Sequence, residues 1–326
     1  ALALFCTFEG HVLSQKQTRM AYHNQTNLSD VWVYSQGFSK KDLKKVKSLN
    51  CVKNAQLRMY IKASTPEFSN VQVDVFLEKE NEVNTPYLIS GENFNAKDKN
   101  GIWIADAFAK RRNLHVGDSF TISYNGIKFT KIIKGLIESS EYEYRQADQD
   151  ADTYLENIAI VYMSYDAFPV RNYVNHLIDQ GKIESSDVDI KYADIPLKEL
   201  VKNMSNQQLF AYMPYTQMVI RTKDKKGLVH EKSIKKALGK DYSVMVDEDS
   251  IPGLARLNSE LDQHETFSYM FVIIFVGIAL LVIMTTMSRI VNQQRIDIGT
   301  LNALGMKRYK IIIHYMSFSV CVVILG

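Results

Sequence analysis

The stretch Phe267–Met287, FSYMFVIIFVGIALLVIMTTM, decides the architecture of this chain: 21 residues without one charged side chain. As a helix rising ~1.5 Å per residue it is about 31 Å long, which matches the hydrocarbon thickness of a bilayer. A buried helix of a soluble protein is the competing reading, but such helices rarely run this far without a polar face. The stretch reads as a membrane-spanning helix.

Its flanks give a direction. Asp249, Glu260, Asp262 and Glu265 precede it against Arg256 alone, and Arg289, Arg295, Lys307, Arg308 and Lys310 follow it with one acid, Asp297. Basic loops stay in the cytosol, so residues 289–310 are expected inside and everything up to about 265 outside.

Two shorter apolar pieces lie at the ends of the sequence. Ala1–Phe8 (ALALFCTF) is a signal-peptide remnant or the tail of a preceding membrane helix. The second reading fits better, because something must bring an outer domain across the bilayer. Ile311–Gly326 (IIIHYMSFSVCVVILG) reads as the beginning of a third helix. The chain is therefore expected to be a fragment of a multi-pass protein.

The rest is water-soluble in character. Mean hydropathy over all 326 residues is −0.17, and a chain of this length has room for two domains. Net charge is +3, and since the segment after Arg289 holds the excess, the large domain is near neutral and gives no reason to invoke nucleic acid. Of three cysteines, Cys6 and Cys321 fall in apolar segments, leaving Cys51 as a lone thiol expected in the core.

Within the large domain one pattern occurs twice. Asp30–Ser35 reads as a strand, Ser39 caps a lysine-rich helix ending near Asn50, and Val52–Ile61 is a second strand. Met218–Thr222 (strand), Lys226–Leu238 (helix closed by Gly239) and Tyr242–Val246 (strand) repeat it. Together they predict an α+β domain of split βαβ type. Between them, Val71–Glu78, Gly101–Ile104, Ser119–Tyr124, Lys128–Leu136 and Ile158–Met163 read as strands, with Asn125-Gly126 as a hairpin turn and Asp106–Asn113 as a short helix. This middle section is expected to be an inserted β-rich lobe. Glu9–Thr26 and Gly253–Thr266 read as helical stalks joining domain to membrane.

No catalytic motif stands out. The sequence holds no G-x-x-x-x-G-K-[ST], H-E-x-x-H or G-x-S-x-G, and its seven histidines are scattered. Asp148, Asp150 and Asp152 mimic the start of a calcium loop, but Thr153 and Ala159 stand where it needs Gly and Glu. A solvated acidic loop is expected there, and the tyrosine-rich stretch Glu138–Tyr154 reads as an exposed recognition loop.

The segment after the spanning helix carries the functional signal: Gln293-Gln294-Arg295-Ile296-Asp297-Ile298-Gly299-Thr300-Leu301-Asn302-Ala303-Leu304-Gly305-Met306-Lys307-Arg308. On a helix, Ile296, Ile298, Thr300, Leu301, Ala303 and Leu304 share an arc of about 200°, with Asp297 inside it and Arg295 and Asn302 opposite. Gly299 and Ala303 admit close approach by a partner, and Gly305 suits a helix C-cap. Two readings are open: an amphipathic helix lying on the membrane, or a docking helix for a cytosolic protein.

This run resembles the signature after the second membrane helix of FtsX/MacB-type ABC transporter permeases, roughly E-R-x-x-E-I-G-x-L-R-A-L-G-A-x-x. Ile298, Gly299, Leu301, Ala303, Leu304 and Gly305 match it. Asp297 stands where Glu is usual, and Asn302 where Arg or Lys is usual. Gly91-Glu92-Asn93-Phe94 through Val116-Gly117-Asp118 resembles a G-x-x-F to V-G-D element of the family's outer domain.

The resemblance implies a non-enzymatic permease subunit in the cell membrane. Its porter-like subdomain (27–84 and 215–252) would carry an inserted lobe (85–214) between stalks at 1–26 and 253–266. The spanning helix would cover 267–288, a cytosolic segment 289–310, and a further helix begin at 311–326. The resemblance also implies a dimer with a second permease copy or a homologous permease, membrane lipid around the helices, and a separate cytosolic ABC ATPase that holds the ATP and Mg, with no cofactor in this chain. Arg295, Asp297, Ile298, Gly299, Leu301, Ala303, Leu304 and Gly305 would form the coupling helix on that ATPase. The function so implied is ATP-driven movement of the outer domain to export or extract a peptide, antimicrobial or lipid-linked compound. The alternative is mechanical regulation of a cell-wall hydrolase or sensor kinase.

Overall fold

The computed structural model describes residues 2–143, 157–183 and 196–325. Up to the hairpin, its elements are α1 (Leu2–Gln25), β1 (Val31–Phe38), α2 (Lys40–Lys47), β2 (Val52–Ser64), β3 (Gln72–Glu78), β4 (Tyr87–Gly91), β5 (Gly101–Ala105), α3 (Asp106–Arg112), β6 (Ser119–Tyr124) and β7 (Ile127–Glu138). Then follow β8 (Ile158–Ser164), α4 (Val170–Asp179), α5 (Leu197–Asn203), α6 (Asn206–Leu209), β9 (Tyr215–Thr222), α7 (Glu231–Leu238) and β10 (Val244–Asp247). The last three are α8 (Pro252–Gln293), α9 (Arg295–Ala303) and α10 (Arg308–Leu325). Two compact units result: residues 18–259, and residues 1–17 with 260–326.

The first unit is built on one mixed sheet in the order β10-β1-β9-β2-β3-β8-β5-β7-β4, with β6 paired to β7 and touching β2. Its first four strands are antiparallel, each βαβ pair being split by a strand of the other pair. This is the interleaving that the repeated strand–helix–strand pattern predicts. Local chemistry starts α2: Ser39 Oγ accepts from the Asp42 amide at 3.3 Å, and the Asp42 carboxylate accepts from the Ser39 amide at 3.0 Å, a reciprocal cap.

The inserted strands extend the same sheet. Long β2 pairs with β9 through its first half and with β3 through its second. The β3–β8 and β5–β7 pairs are parallel, which requires crossover connections, and α3 follows β5 directly. Asn125 (φ 44°) and Gly126 (φ 87°) both take the left-handed conformation that closes the β6–β7 hairpin. Asn113 (φ 53°) ends α3 in the same way. The patterned strands and α3 were legible in the sequence; β4 and α4–α6 were not singled out there.

Apolar residues gather in three places. The largest group lies around β3, β5, β7 and β8, with Trp103, Phe108, Phe120 and Tyr162 at its centre. A second fills the space between α2, α7 and one face of β1, β2, β9 and β10. A third, around Trp32, Val219 and Leu254, lies on the opposite face of those strands. Cys51 is half-buried beside the second group rather than within it. Asp148, Asp150, Asp152 and the loop beyond Glu143 lie outside the described residues.

In the second unit, α1 and α8 meet at a Lys16–Glu265 ion pair of 2.5 Å. The helix α8 runs unbroken for 42 residues, about 63 Å, so the bilayer-length apolar stretch is only part of it. Along that stretch Ile273, Leu280, Leu281 and Met284 are exposed, as side chains that face lipid must be. Among the described residues α8 is the one helix whose length and apolar composition suffice to cross a membrane.

Candidate functional site

The segment after α8 takes its shape from its own sequence. Gln294 (φ −97°, ψ 17°) interrupts the helix, and α9 begins at Arg295. It ends where Gly305, at φ +83°, lets the chain reverse. The Met306 amide donates to the Leu301 carbonyl and the Gly305 amide to the Asn302 carbonyl, both at 3.1 Å. These bonds form the paired closure that follows a left-handed residue after a helix.

The shared apolar arc of the sequence is divided by the fold. Ile298 and Leu301 are partly buried, whereas Ile296 and Leu304 are 82% and 79% exposed. Thr300 and Ala303 are exposed on the same side as these two, and Asp297 is exposed at the edge of that side. Arg295 is exposed as well. A side chain built on Gly299 would meet nothing within 4 Å, so nothing within this chain requires a glycine there for packing. The arrangement is a short helix with a cleanly presented apolar strip.

A second constellation was not anticipated. Arg58, on β2, is buried with its guanidinium bonded to Glu141 through Nη1 (2.6 Å) and Nη2 (2.5 Å). Its Nε donates to Gln217 Oε1 at 2.5 Å, and its Cζ lies 4.4 Å from the centre of the Phe76 ring. Glu78, also buried, stands 3.5 Å from Nη1 and accepts a hydrogen bond from Gln56. Trp32 Nε1 donates to Glu141 at 2.5 Å. Burial pushes the Glu78 carboxyl up to about 7, against the opposing pull of Arg58 and Gln56. The one sequence signal was a lone arginine inside the strand Val52–Ser64, and its two buried carboxylate partners are remote in sequence.

Residues 139–143 gather these contacts into a strap. Ser139 bonds the Tyr162 hydroxyl at 2.8 Å, Tyr142 donates to Asp74 at 3.2 Å, and Glu143 accepts from Arg19 Nε at 2.8 Å while also pairing with His23. A side chain built on Gly253 would come within 3.3 Å of the Glu141 carbonyl, and Arg19 also donates to Asn258. The strap thus joins the last turns of α1, the first turns of α8 and strands β1, β2, β3 and β8. All its charges are paired internally, so it is built to hold, not to react.

A spanning helix followed by a short helix with an outward apolar strip defines an integral membrane protein with a helical junction. Residues 269–326 match the family model described as FtsX-like permease C-terminal. Three solved structures are similar to the chain. The periplasmic region of MacB from Actinobacillus actinomycetemcomitans is 12% identical, covering 74% of this chain and 98% of that one, with a TM-score of 0.37. The extracellular domain of the noncanonic ABC-type transporter YknZ from Gram-positive bacteria is 10% identical, covering 67% and 100%, with a TM-score of 0.36. A domain of a putative permease protein from Porphyromonas gingivalis is 11% identical, covering 66% and 84%, with a TM-score of 0.31. The search of curated proteins found no match.

Proposed function

We propose that the chain is the membrane subunit of an ABC transporter, with the domain of residues 27–252 outside the cell and α9 docked on a separate cytosolic ATPase. The observation that carries this reading is the coincidence of α9 with the family match over residues 269–326. In that match, the exposed strip of Ile296 and Leu304 is the surface that a partner would cover. The basic residues Arg289, Arg295, Lys307, Arg308 and Lys310 support a cytosolic position.

In this reading Ile296, Leu304 and Ala303 enter an apolar groove of the ATPase, and Gly299 allows the partner's backbone to approach. Arg295 and Asp297 supply the charges that set register, while Ile298 and Leu301 anchor α9 to its own chain and Gly305 fixes its end. ATP and Mg belong to the partner. A second permease copy completes the assembly, and movement driven by ATP passes along α8 and α1 to the outer domain, where the substrate is exported or extracted. Lacking a phosphate-binding loop, the chain does none of the hydrolysis.

The test is co-purification of the full chain with its ATPase from membranes. Leu304→Asp and Asp297→Lys are expected to abolish the complex while membrane insertion stays normal. Undiminished recovery of the ATPase with both variants would reject α9 as the docking element.

A further inference from the structure

One face of the outer domain breaks the local rules of helix electrostatics. Between residues 40–53 and 223–240 the chain carries thirteen lysines and three acids, although the whole chain is only +3. The helices α2 and α7 in these segments pack on the same side of the sheet, with Val46, Ile234 and Leu238 turned into the core and their lysines turned outward. Cations are favoured at helix C-termini, which accounts for Lys44, Lys45, Lys47, Lys235 and Lys236. It does not account for Lys40, Lys41 and Lys232, which lie in first turns, where the backbone N–H groups repel positive charge.

Spacing adds to the repulsion. Lys40 and Lys44, Lys41 and Lys45, and Lys232 and Lys236 are like charges four residues apart. The nearby acids answer only part of this charge: Asp42, buried in the cap, pairs with Lys45 at 2.8 Å, where Asp241 also acts, Glu80 and Glu82 pair with Lys47, Asp224 pairs with His230, and Glu231 accepts from the Tyr242 hydroxyl at 2.6 Å. Among the described residues, Lys40, Lys41, Lys44, Lys232 and Lys236 have no anionic partner. Repulsions retained at a cost to the fold, with no internal return, point to a counter-charge from outside.

We propose that the outer face of α2 and α7 is a docking surface for a linear polyanion, a soluble polymer with closely spaced phosphates. Each helix is about 12 Å long, and packed helices lie ~8–10 Å apart, so the charges form a flat array matched to a ligand of repeating charge. Lysine heads are hydrated point charges without the planar fork that selects a single anion, which suits a flexible chain. The apolar residues of both helices face inward, which leaves Leu228 and Val229, just before α7, as the exposed large apolar side chains of this face. This inference does not depend on how α9 is used.

The test titrates the full chain, in neutral detergent, with long-chain inorganic polyphosphate at rising salt. The parent is expected to bind with an affinity that falls steeply as salt increases. Lys40→Gln, Lys41→Gln, Lys232→Gln and Lys236→Gln together should weaken binding about tenfold or more and raise the thermal midpoint, because both follow from removing the same charges. A control with Lys97→Gln, Lys128→Gln, Lys182→Gln and Lys202→Gln, the same change in net charge elsewhere, should bind like the parent. Three results would overturn the proposal: no binding by the parent, equal weakening in the control, or binding confined to phosphatidylglycerol vesicles. The last would assign the face to a membrane surface, with Leu228 and Val229, exposed beside α7, as the inserting residues.

Discussion

Arg58 and Glu141 face each other within the large domain, joined by two hydrogen bonds with their side chains 1% and 4% exposed. Arg58 stands on a strand of the split βαβ part, and Glu141 follows the longest strand of the inserted section. The pair therefore fastens one to the other, and burial makes its integrity a condition of the fold.

Removing one partner leaves the other charged and buried. Arg58→Met strands Glu141 and Glu78 together and is expected to cost about 3–5 kcal/mol. Urea denaturation followed by Trp fluorescence reads this directly, since Trp32 donates to Glu141. A loss below about 1 kcal/mol would mean that the pair is solvated in the working protein.

Stability should depend on pH through Glu78. Its folded pKa, about 7, lies above that of an unfolded glutamate, so the folded state holds the proton more tightly. The contribution is fully present below about pH 4.5, declines as pH rises towards 7, and is lost above that, about 3 kcal/mol in all. In Glu78→Gln the denaturation midpoint should vary less between pH 5 and 8 than in the parent. Identical pH profiles for the two would sink the assignment.

The strap should also control the helix ends. Glu143→Ala removes the acceptor for Arg19 and the partner of His23. Amide hydrogen exchange in residues 19–28 is expected to quicken by about tenfold, while the α2–β2 region stays protected. Uniform acceleration over the whole domain would instead indicate global destabilisation, and no change would show the contact to be idle.

At the other end of the chain, Gly305 holds a conformation that costs an ordinary L-residue about 1–2 kcal/mol. Gly305→Val should impair ATPase coupling in reconstituted membranes without lowering the amount inserted, and Gly305→Asn should be milder. Full coupling in the valine variant would show that the reversal after α9 is dispensable.

The sequence alone determined the features governed by near neighbours. The charge-free run from Phe267 to Met287 announces a span by its length, Asn125-Gly126 closes a hairpin by its backbone freedom, and Ser39 with Asp42 starts a helix through bonds three residues apart. The α9 segment was legible for the same reason: its amphipathic period and terminal Gly305 are local properties. Tertiary structure decided the rest. It divided the apolar arc of α9 into a held side and an exposed side, merged the inserted strands with the flanking ones in one sheet, and brought Arg58 to Glu141 across 83 residues. Nothing in the spacing of those residues marks them as partners, because a buried charge is matched only after the strands carrying it have paired.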